Sequence, residues 1–412
     1  MKQFALSSLF LAMVCVMTVN ARFTLDDSIE PASVGVVTGG TNFYTLPYTI
    51  TVPGTYIVGD TLTFSPSADG ESAISIECDD VTLDLNGNTI AQDQFDVHLN
   101  INGIYVASGL KNIIIRNGNI AHVSGNAIVV DTAVCGANIY NLNLVDAQNG
   151  AMSVGAGSQS IYCSNIETSC NVNVSGATYG CYFDTCAGVV VQNCAFGGTN
   201  ATGGNADGVI FQDCSNVTIS DCFAHSNESN GLRTSGIALL NCHSVSVQDS
   251  SSVGNISVST DFGSVCAGIV IDTCVDVSID NCTVSSNQAV HVAAGVHGNA
   301  VIGCAIKDCI ADANQSSSDV AYGIYFIDGD ANSCSDSTAS KNSGDTSAAG
   351  FAVDGSETGF ICDGVIADAN EGISVSYGFY AGGSTGMGLV KNSTFFGHVS
   401  GGNAYGIYDV SG

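Results

Sequence analysis

The chain is poor in positively charged residues, and this deficit removes several classes of partner. Its 412 residues contain 8 Lys and Arg against 38 Asp and Glu, for a formal net charge of −30. Nucleic acids bind cationic side chains that replace their counterions, so this composition excludes nucleic acid as a partner. An anionic membrane surface is disfavoured for the same reason. The acidity alone is sufficient to keep a long, flat surface soluble.

Tryptophan is absent and proline occurs only 4 times, whereas glycine occurs 49 times. Disordered linkers tend to be rich in both proline and glycine. Here the turns use glycine and asparagine almost exclusively, which indicates an ordered chain with many tight turns.

Long apolar runs are also scarce, and the clearest one lies at the N-terminus in "MKQFALSSLFLAMVCVMTVNA". Lys2 supplies the positive start, Phe10 to Val16 the apolar run, and Val19-x-Ala21 a small-residue cleavage site. A short membrane anchor is the alternative, but no second long apolar run supports it. We predict a signal peptide over residues 1–21, no transmembrane segment after its removal, and a secreted or cell-surface protein.

A repeat dominates the rest of the chain. An Asn or Asp recurs at a turn, mostly every 27 or 28 residues, and a glycine followed by an apolar residue recurs in phase with it. Apolar residues alternate with period two inside each unit, which predicts strands rather than helices. A unit of this length holds three short strands and can bury its apolar face only against its neighbours, as in a solenoid.

These features resemble the right-handed parallel β-helix superfamily, the fold of pectate lyases and polygalacturonases. The resemblance is carried by "VTLDLNGNTI" at residues 81–90, by glycine-led strands such as "GIYV" at Gly103, and by the Asn/Asp column. It implies an all-β fold of roughly a dozen coils over residues 75–412, where a coil is one turn of the solenoid. Residues 22–74 would form an N-terminal β-rich capping region.

The recurring Asn and Asp residues are interpreted as a structural ladder. Both residue types tolerate left-handed backbone and bond locally to turns. Asp84, which precedes the first ladder residue, is expected on the outer face of its strand. The predicted ladder comprises Asn86, Asn117, Asn141, Asn165, Asn193, Asp221, Asp249, Asn281 and Asp308.

Seventeen cysteines remain after the signal peptide, and several keep the repeat's register. Equivalent side chains in neighbouring coils lie about 4.8 Å apart, whereas disulfide Cβ atoms lie about 3.8 Å apart. We therefore expect columns of buried thiols. Local disulfide bonds Cys181–Cys186 and Cys163–Cys170 are alternatives that the sequence does not decide. No metal site is predicted, although "DGDAN" at residues 328–332 is a weak match to a calcium loop without its terminal Glu.

One outer strand face is the candidate functional surface. In enzymes of the resembled superfamily, the substrate lies along the outer face of one sheet. The second residue after the recurring glycine should point outward, and aromatic side chains there would stack on sugar rings. An ordinary sheet surface is the alternative. The glycan-binding candidates are Tyr182, His297, Tyr325 and Tyr380.

Carboxylates follow on the same flank, and Asp184, Asp213 and Asp272 are weak catalytic candidates. A glycoside hydrolase needs two carboxyl groups about 5–10 Å apart, a spacing that Asp184 and Asp213 could meet. The clustered aspartates, GHG and basic motifs of polygalacturonases are missing. Arg233 is the only cation near these residues, which disfavours a uronate lyase. If Asp261 in the longest insertion folded over Asp272, the case for an enzyme would be stronger.

The sequence therefore favours a protein that binds or presents to an extracellular polysaccharide or a surface protein without catalysis. A carbohydrate-active enzyme is the alternative, a glycoside hydrolase ahead of a polysaccharide lyase or epimerase. No cofactor is predicted apart from the weak calcium match. The last coil, with Ile407 and Val410, would present an open edge suited to end-to-end contact.

Overall fold

The computed structural model describes residues 40–93, 99–173, 176–383 and 389–409. The predicted signal peptide, residues 22–39 of the predicted capping region, and Val410 lie outside the described residues.

Strands in the described residues form three long sheets. Sheet 1 contains Tyr48–Ile50, Ser72–Ile76, Asn102–Val106, Asn126–Val130, Gly150–Val154, Thr178–Asp184, Ala206–Gln212, Arg233–Leu240, Val265–Asp272, Val292–Asn299, Val320–Ile327, Ser347–Asp354, Val375–Ala381 and Asn403–Asp409. Sheet 3 contains Val172–Asn173, Asn200–Ala201, Glu228–Ser229, Ile256–Ser257, Gln288–Ala289, Gln315–Ser316, Ser343–Gly344, Glu371–Gly372 and Val399–Ser400.

Sheet 2 forms the remaining long wall, and many coils contribute two segments to it. Its strands are Thr41–Phe43, Gly54–Val58, Leu62–Phe64, Val81–Asp84, Thr89–Gln92, Lys111–Val123, Cys135–Ala147, Gln159–Ser169, Ala187–Gln192, Ala195–Gly197, Ser215–Ser220, Phe223–His225, His243–Gln248, Ser251–Val253, Val275–Asp280, Thr283–Ser285, Ala305–Lys307, Ser333–Ser335, Ile361–Asp363 and Leu389–Lys391. Two further strands, Ile366–Asp368 and Thr394–Phe396, pair with each other.

Each strand pairs in parallel with the equivalent strand of the next coil. In sheet 2, Val189 pairs with Val217, which pairs with Val245, and all three side chains are buried. Stacking of equivalent apolar residues produces one continuous core along the solenoid, because an isolated coil cannot enclose its own apolar face. The predicted all-β, right-handed parallel β-helix of roughly a dozen coils is confirmed. Among the described residues, no helix is long and apolar enough to cross a membrane.

The predicted ladder residues lie along sheet 2. Asn117, Asn141 and Asn165 are inside its long strands, and the other six are in turns between consecutive strands. All nine have left-handed backbone, with φ between 49° and 60°. Some are also linked from coil to coil: the amide Nδ2 of Asn165 donates to Asn141 Oδ1 at 2.9 Å, and that of Asn141 donates to Asn117 Oδ1 at 3.1 Å. These residues are mostly exposed.

Asp84 lies in the outward-facing register of its strand, as expected, where it pairs with Arg116 of the next coil. Its side chain is buried, and its carboxylate accepts hydrogen bonds from Arg116 Nε at 3.0 Å, Asn117 Nδ2 at 3.2 Å and the backbone N of Asn86 at 2.8 Å. The strand ends at Asp84, so its side chain turns toward donors from its own turn and from the next coil.

A second, fully buried ladder escaped the sequence analysis. Six asparagines directly follow the left-handed turn before sheet 3, and each of the first five donates from Nδ2 to Oδ1 of the next at 2.9 Å. The backbone N–H of each of these five donates to the same oxygen at 3.0–3.3 Å. This ladder comprises Asn227, Asn255, Asn287, Asn314, Asn342 and Asn370, all with no exposed surface.

The described part of the predicted capping region already belongs to the stacked sheets. Thr41–Phe43 pairs in parallel with Gly54–Val58, which pairs with the first repeat strand, Val81–Asp84. Tyr48–Ile50 pairs likewise with Ser72–Ile76. Regular stacking therefore begins well before residue 75.

The cysteines of the described residues form no disulfide bonds. Cys186, Cys214, Cys242 and Cys274 form one buried column at the corner between sheets 1 and 2. Their thiols take part in backbone hydrogen bonds: Cys242 N donates to Cys274 Sγ at 3.2 Å, and Cys242 Sγ donates to Phe211 O at 3.3 Å. These side chains therefore pack as small, weakly polar core residues.

Candidate functional site

The outer face of sheet 1 brings the glycan-binding candidates into one column. Strand pairing aligns Tyr182 with Ile210, and successive coils continue the column to His297, Tyr325, Tyr380 and Tyr408. We call this column the distal column, because it lies farther along the strands than the recurring glycine.

Local contacts orient these candidate side chains. Tyr182 OH donates to Gln212 Oε1 at 3.1 Å, and burial raises the pKa of Tyr182 to about 12. The rings of His297 and Tyr325 meet edge to face with centroids 5.3 Å apart. Burial lowers the pKa of His297 to about 4, so its imidazole is neutral at neutral pH.

A parallel column of tyrosines was missed. It runs through the residue before the recurring glycine and contains Tyr179, Tyr322, Tyr377 and Tyr405. We call it the proximal column. Its rings pack on those of the distal column, as Tyr322 does on Tyr325 with centroids 4.4 Å apart. A sequence signal was present: Tyr-Gly-x-Tyr occurs four times, starting at residues 179, 322, 377 and 405.

The glycine explains why both tyrosines of this motif face outward. In Thr178–Asp184, Gly180 and Cys181 are consecutive buried residues, so the flanking Tyr179 and Tyr182 share the outer face. A Cβ on Gly180 would lie 2.4 Å from the Gly208 carbonyl oxygen of the next coil. Only glycine fits between stacked coils at this position.

The three catalytic candidates lie at the end of sheet 1 strands but do not form one cluster. Asp184 and Asp272 occupy the same column, three coils apart, which is roughly 14 Å at ~4.8 Å per coil. Asp213 lies in the adjoining turn, one coil from Asp184. The spacing between Asp184 and Asp213 is compatible with a glycosidase pair, whereas that between Asp184 and Asp272 is too long.

Hydrogen bonds to turn residues occupy these carboxylates. Asp184 accepts from Thr185 Oγ1 at 2.8 Å, Asp213 accepts from Asn241 Nδ2, and Asp272 accepts from Asn299 Nδ2 at 2.8 Å. The bonds to Asp213 and Asp272 join neighbouring coils, and all three stabilise the turns. Asp261 does not reach Asp272: it lies exposed in a loop at the opposite end of the strand, beside the Thr260 carbonyl that contacts His291 at 3.1 Å.

A buried ion pair lies in the middle of the same outer face. Arg233 binds Asp207 through two bonds, Nε to Oδ1 at 3.1 Å and Nη2 to Oδ2 at 2.8 Å, and Ser235 Oγ donates to the same carboxylate. Asp207 belongs to the proximal column and has no exposed surface. The electrostatic influence of Asp272 extends to both Arg233 and His297. In register, Arg233 pairs with Val265 at the start of the strand that ends at Asp272.

The residues of the weak calcium match lie in a corner turn. Asp328 Oδ1 accepts from Ser356 N at 2.7 Å and from Ser356 Oγ at 2.9 Å, while Asn332 is buried and donates to Val301 O at 2.8 Å. The described residues contain no group of three or more His, Cys, Asp or Glu side chains placed to hold a metal ion.

Comparison with known proteins supports the fold. Residues 161–333 match the family model described as "Right handed beta helix region". None of the curated proteins matches the chain.

Solved structures of similar fold share little sequence with this chain. The A-module of the mannuronan C-5 epimerase AlgE4 of Azotobacter vinelandii is 11% identical, with a TM-score of 0.51, over 84% of this chain and 90% of that one. A double mutant of the periplasmic alginate epimerase AlgG is 10% identical, with a TM-score of 0.50, over 87% and 76%. DFA-IIIase of Arthrobacter chlorophenolicus is 13% identical, with a TM-score of 0.39, over 62% and 63%. At these identities the likeness shows the fold alone, a right-handed parallel β-helix, and the matched family model covers less than half of the chain.

Proposed function

We propose that the protein is secreted or displayed at the cell surface and binds a glycan along the outer face of sheet 1. The observation that carries this proposal is the concentration of aromatic side chains there. Nine of the 14 tyrosines of the chain lie in the proximal and distal columns, together with His297. Flat aromatic faces beside hydroxyl, amide and carboxylate groups suit sugar rings, which have both apolar faces and hydroxyl edges.

Alanine variants of the columns test binding directly. We expect Tyr325→Ala and Tyr380→Ala each to weaken binding to the preferred polysaccharide about fivefold, as measured by isothermal titration. Tyr162→Ala is the matched control, because Tyr162 is an exposed tyrosine on sheet 2. Equal losses in all three variants, or binding unaffected by all three, would contradict a site on sheet 1.

A carbohydrate-active enzyme is the second candidate function, favoured by the Arg233–Asp207 pair on the sheet face that also carries Asp272 and His297. A fixed cation, a carboxylate and a neutral imidazole on one face supply groups that can bind an acidic sugar and move a proton. Two solved structures with a TM-score of at least 0.5 are described as a mannuronan C-5 epimerase and an alginate epimerase, which supports this candidate more than a purely presenting role.

Two measurements on a panel of polysaccharides separate these functions, with calcium present and absent. Polymer length reports a hydrolase or lyase, and sugar composition by NMR reports an epimerase, which leaves length unchanged. If either property changes, Asp184→Asn, Asp213→Asn, Asp272→Asn and His297→Gln would identify the catalytic groups. Binding without any change in length or composition would support the non-catalytic role.

A further inference from the structure

The two tyrosine columns are interrupted at one coil, and a pocket lies there. In Ser347–Asp354, Ala349 and Ala352 occupy the positions that hold tyrosine pairs in the coils before and after. The flanking rings cover both alanines completely, since neither exposes more than 1% of its surface. The resulting pocket of about 130 Å³ is lined by Tyr322, Ser347, Asp354, Tyr377 and Tyr380.

We propose that this pocket, called the tyrosine pocket below, binds the protonated amino group of an amino sugar. The inference rests on the proposed binding of a glycan to this face and names the class of glycan. A pocket of this size is below the roughly 300–1,000 Å³ of drug-sized sites, so it suits one substituent of a sugar whose ring stacks on the neighbouring tyrosines.

The lining chemistry is that of a cation site. Three tyrosine rings line the pocket, and the π-face of such a ring attracts an ammonium group within about 6 Å. Burial raises the pKa of Tyr322, Tyr377 and Tyr380, so their hydroxyls remain neutral at neutral pH. Asp354 is therefore the anionic side chain of the lining set, and it lies close enough to Tyr322 and Tyr380 to influence both. An ammonium ion in the pocket would be attracted by the carboxylate and by the rings at the same time.

A neutral substituent would bind more weakly in the tyrosine pocket. An N-acetyl group carries no charge to offset Asp354, and it is bulkier than an ammonium group in a small pocket. No Lys or Arg lines the pocket to repel a cation. The net charge of −30 also steers a polycation toward the protein and repels a polyuronate.

The test uses the mature protein and two oligosaccharides of equal length, a β-1,4-linked glucosamine hexamer and its fully N-acetylated form. Isothermal titration at neutral pH and low salt is expected to show at least tenfold tighter binding of the free-amine hexamer. Asp354→Asn is expected to reduce that preference about tenfold. Asp276→Asn is the matched control: it removes one charge from an exposed position of the sheet 2 strand Val275–Asp280 and should change the preference less than twofold. Circular dichroism checks folding of both variants.

The possible results distinguish the ammonium pocket from glycan binding itself. Equal binding of the two hexamers, or equal effects of Asp354→Asn and Asp276→Asn, would overturn the ammonium pocket while leaving glycan binding intact. Binding of other polysaccharides but neither hexamer would likewise overturn only the amino-sugar assignment. Failure of the protein to bind any polysaccharide would overturn both this inference and the proposed function.

Discussion

Asn287 lies in the middle of the buried asparagine ladder and satisfies donors from two directions. Its Oδ1 accepts from both the backbone N and Nδ2 of Asn255, and its Nδ2 donates to Asn314 Oδ1 at 2.9 Å. In a core without exposed surface, a donor that loses its acceptor cannot bond to water instead. Each residue of this ladder therefore stabilises the coil on either side of it.

We expect Asn287→Ala to lower the free energy of unfolding by about 3 kcal/mol or more, because it leaves two buried donors of Asn255 without an acceptor. Asn281→Ala is the comparison, since Asn281 lies in an exposed turn of the same coil and donates to Asp249 at 2.6 Å. Its loss should cost about 1 kcal/mol. Urea unfolding of both variants measures the difference, and equal costs would show that the buried ladder has no special role.

Glu357 is a buried carboxyl group that accepts hydrogen bonds from Asn332 Nδ2 at 3.0 and 3.2 Å. Burial raises its pKa from 4.5 to about 7. The folded protein thus holds this proton more tightly than the unfolded chain does. The stability that the proton contributes is complete below about pH 4.5 and is lost as the pH rises to about 7.

Glu357→Gln imitates the protonated form and removes this dependence. We expect the wild-type free energy of unfolding to fall, relative to that of the variant, between pH 4.5 and 7, by at most about 3 kcal/mol. Comparing the two proteins cancels the titration of the other acidic residues. The wild-type and variant curves would run parallel if Glu357 were ionised throughout this range.

At the scale of the strand, sequence periodicity predicted the distal column but not the proximal one. The glycine phase and strict alternation correctly aligned Tyr182, His297, Tyr325 and Tyr380. Strict alternation would, however, place the tyrosine before each glycine on the inner face. Two consecutive inward residues, such as Gly180 and Cys181, reverse that phase. Such a local break depends on contact with the next coil, which the alternation within one strand does not encode.

The buried asparagine ladder shows the same limit. Its residues follow turns formed by different residue types, including Ser226, Gly254, Ser286 and Ala313, all left-handed. A search for recurring Asn or Asp at one turn found the exposed ladder, because the left-handed residue there is itself the recurring Asn or Asp. The buried asparagines lie one residue beyond such a turn, and only the packing of the corner makes them inward.

The close packing around the recurring glycines of sheet 1 can be tested by a substitution that adds one carbon. In Gly350→Ala, the new Cβ would lie 2.5 Å from Ala367 Cβ and 3.0 Å from the Gly378 carbonyl oxygen. We expect a loss of about 2 kcal/mol in the free energy of unfolding, because the stacked coils must separate to admit the methyl group. Gly406→Ala is the control from the same column, as its Cβ would meet nothing closer than 3.8 Å. Similar stability of the two variants would contradict the steric explanation.

Across the whole molecule, the proposed binding face combines side chains from different coils. The Arg233–Asp207 pair joins residues 26 positions apart, and the tyrosine pocket joins side chains from three successive coils. The repeat length predicts that such residues are neighbours. It does not predict that an alanine coil between two tyrosine coils encloses a pocket, because this depends on how the large rings lean over the small residues.

Packing without disulfides is a property of the entire solenoid. Fourteen of the cysteines are buried, and burial raises the pKa of thiols such as Cys181 and Cys362 well above the usual value, which suppresses the reactive thiolate. We expect these fourteen to resist a thiol-specific alkylating reagent in the native protein, whereas exposed Cys135 reacts readily. In denaturant without reductant, all fourteen should react. The thermal midpoint should be the same with and without dithiothreitol, since a structural disulfide would contribute about 2–5 kcal/mol. A lower midpoint in reductant, together with thiols that stay unreactive after unfolding, would show that disulfides and not stacked thiols hold the coils.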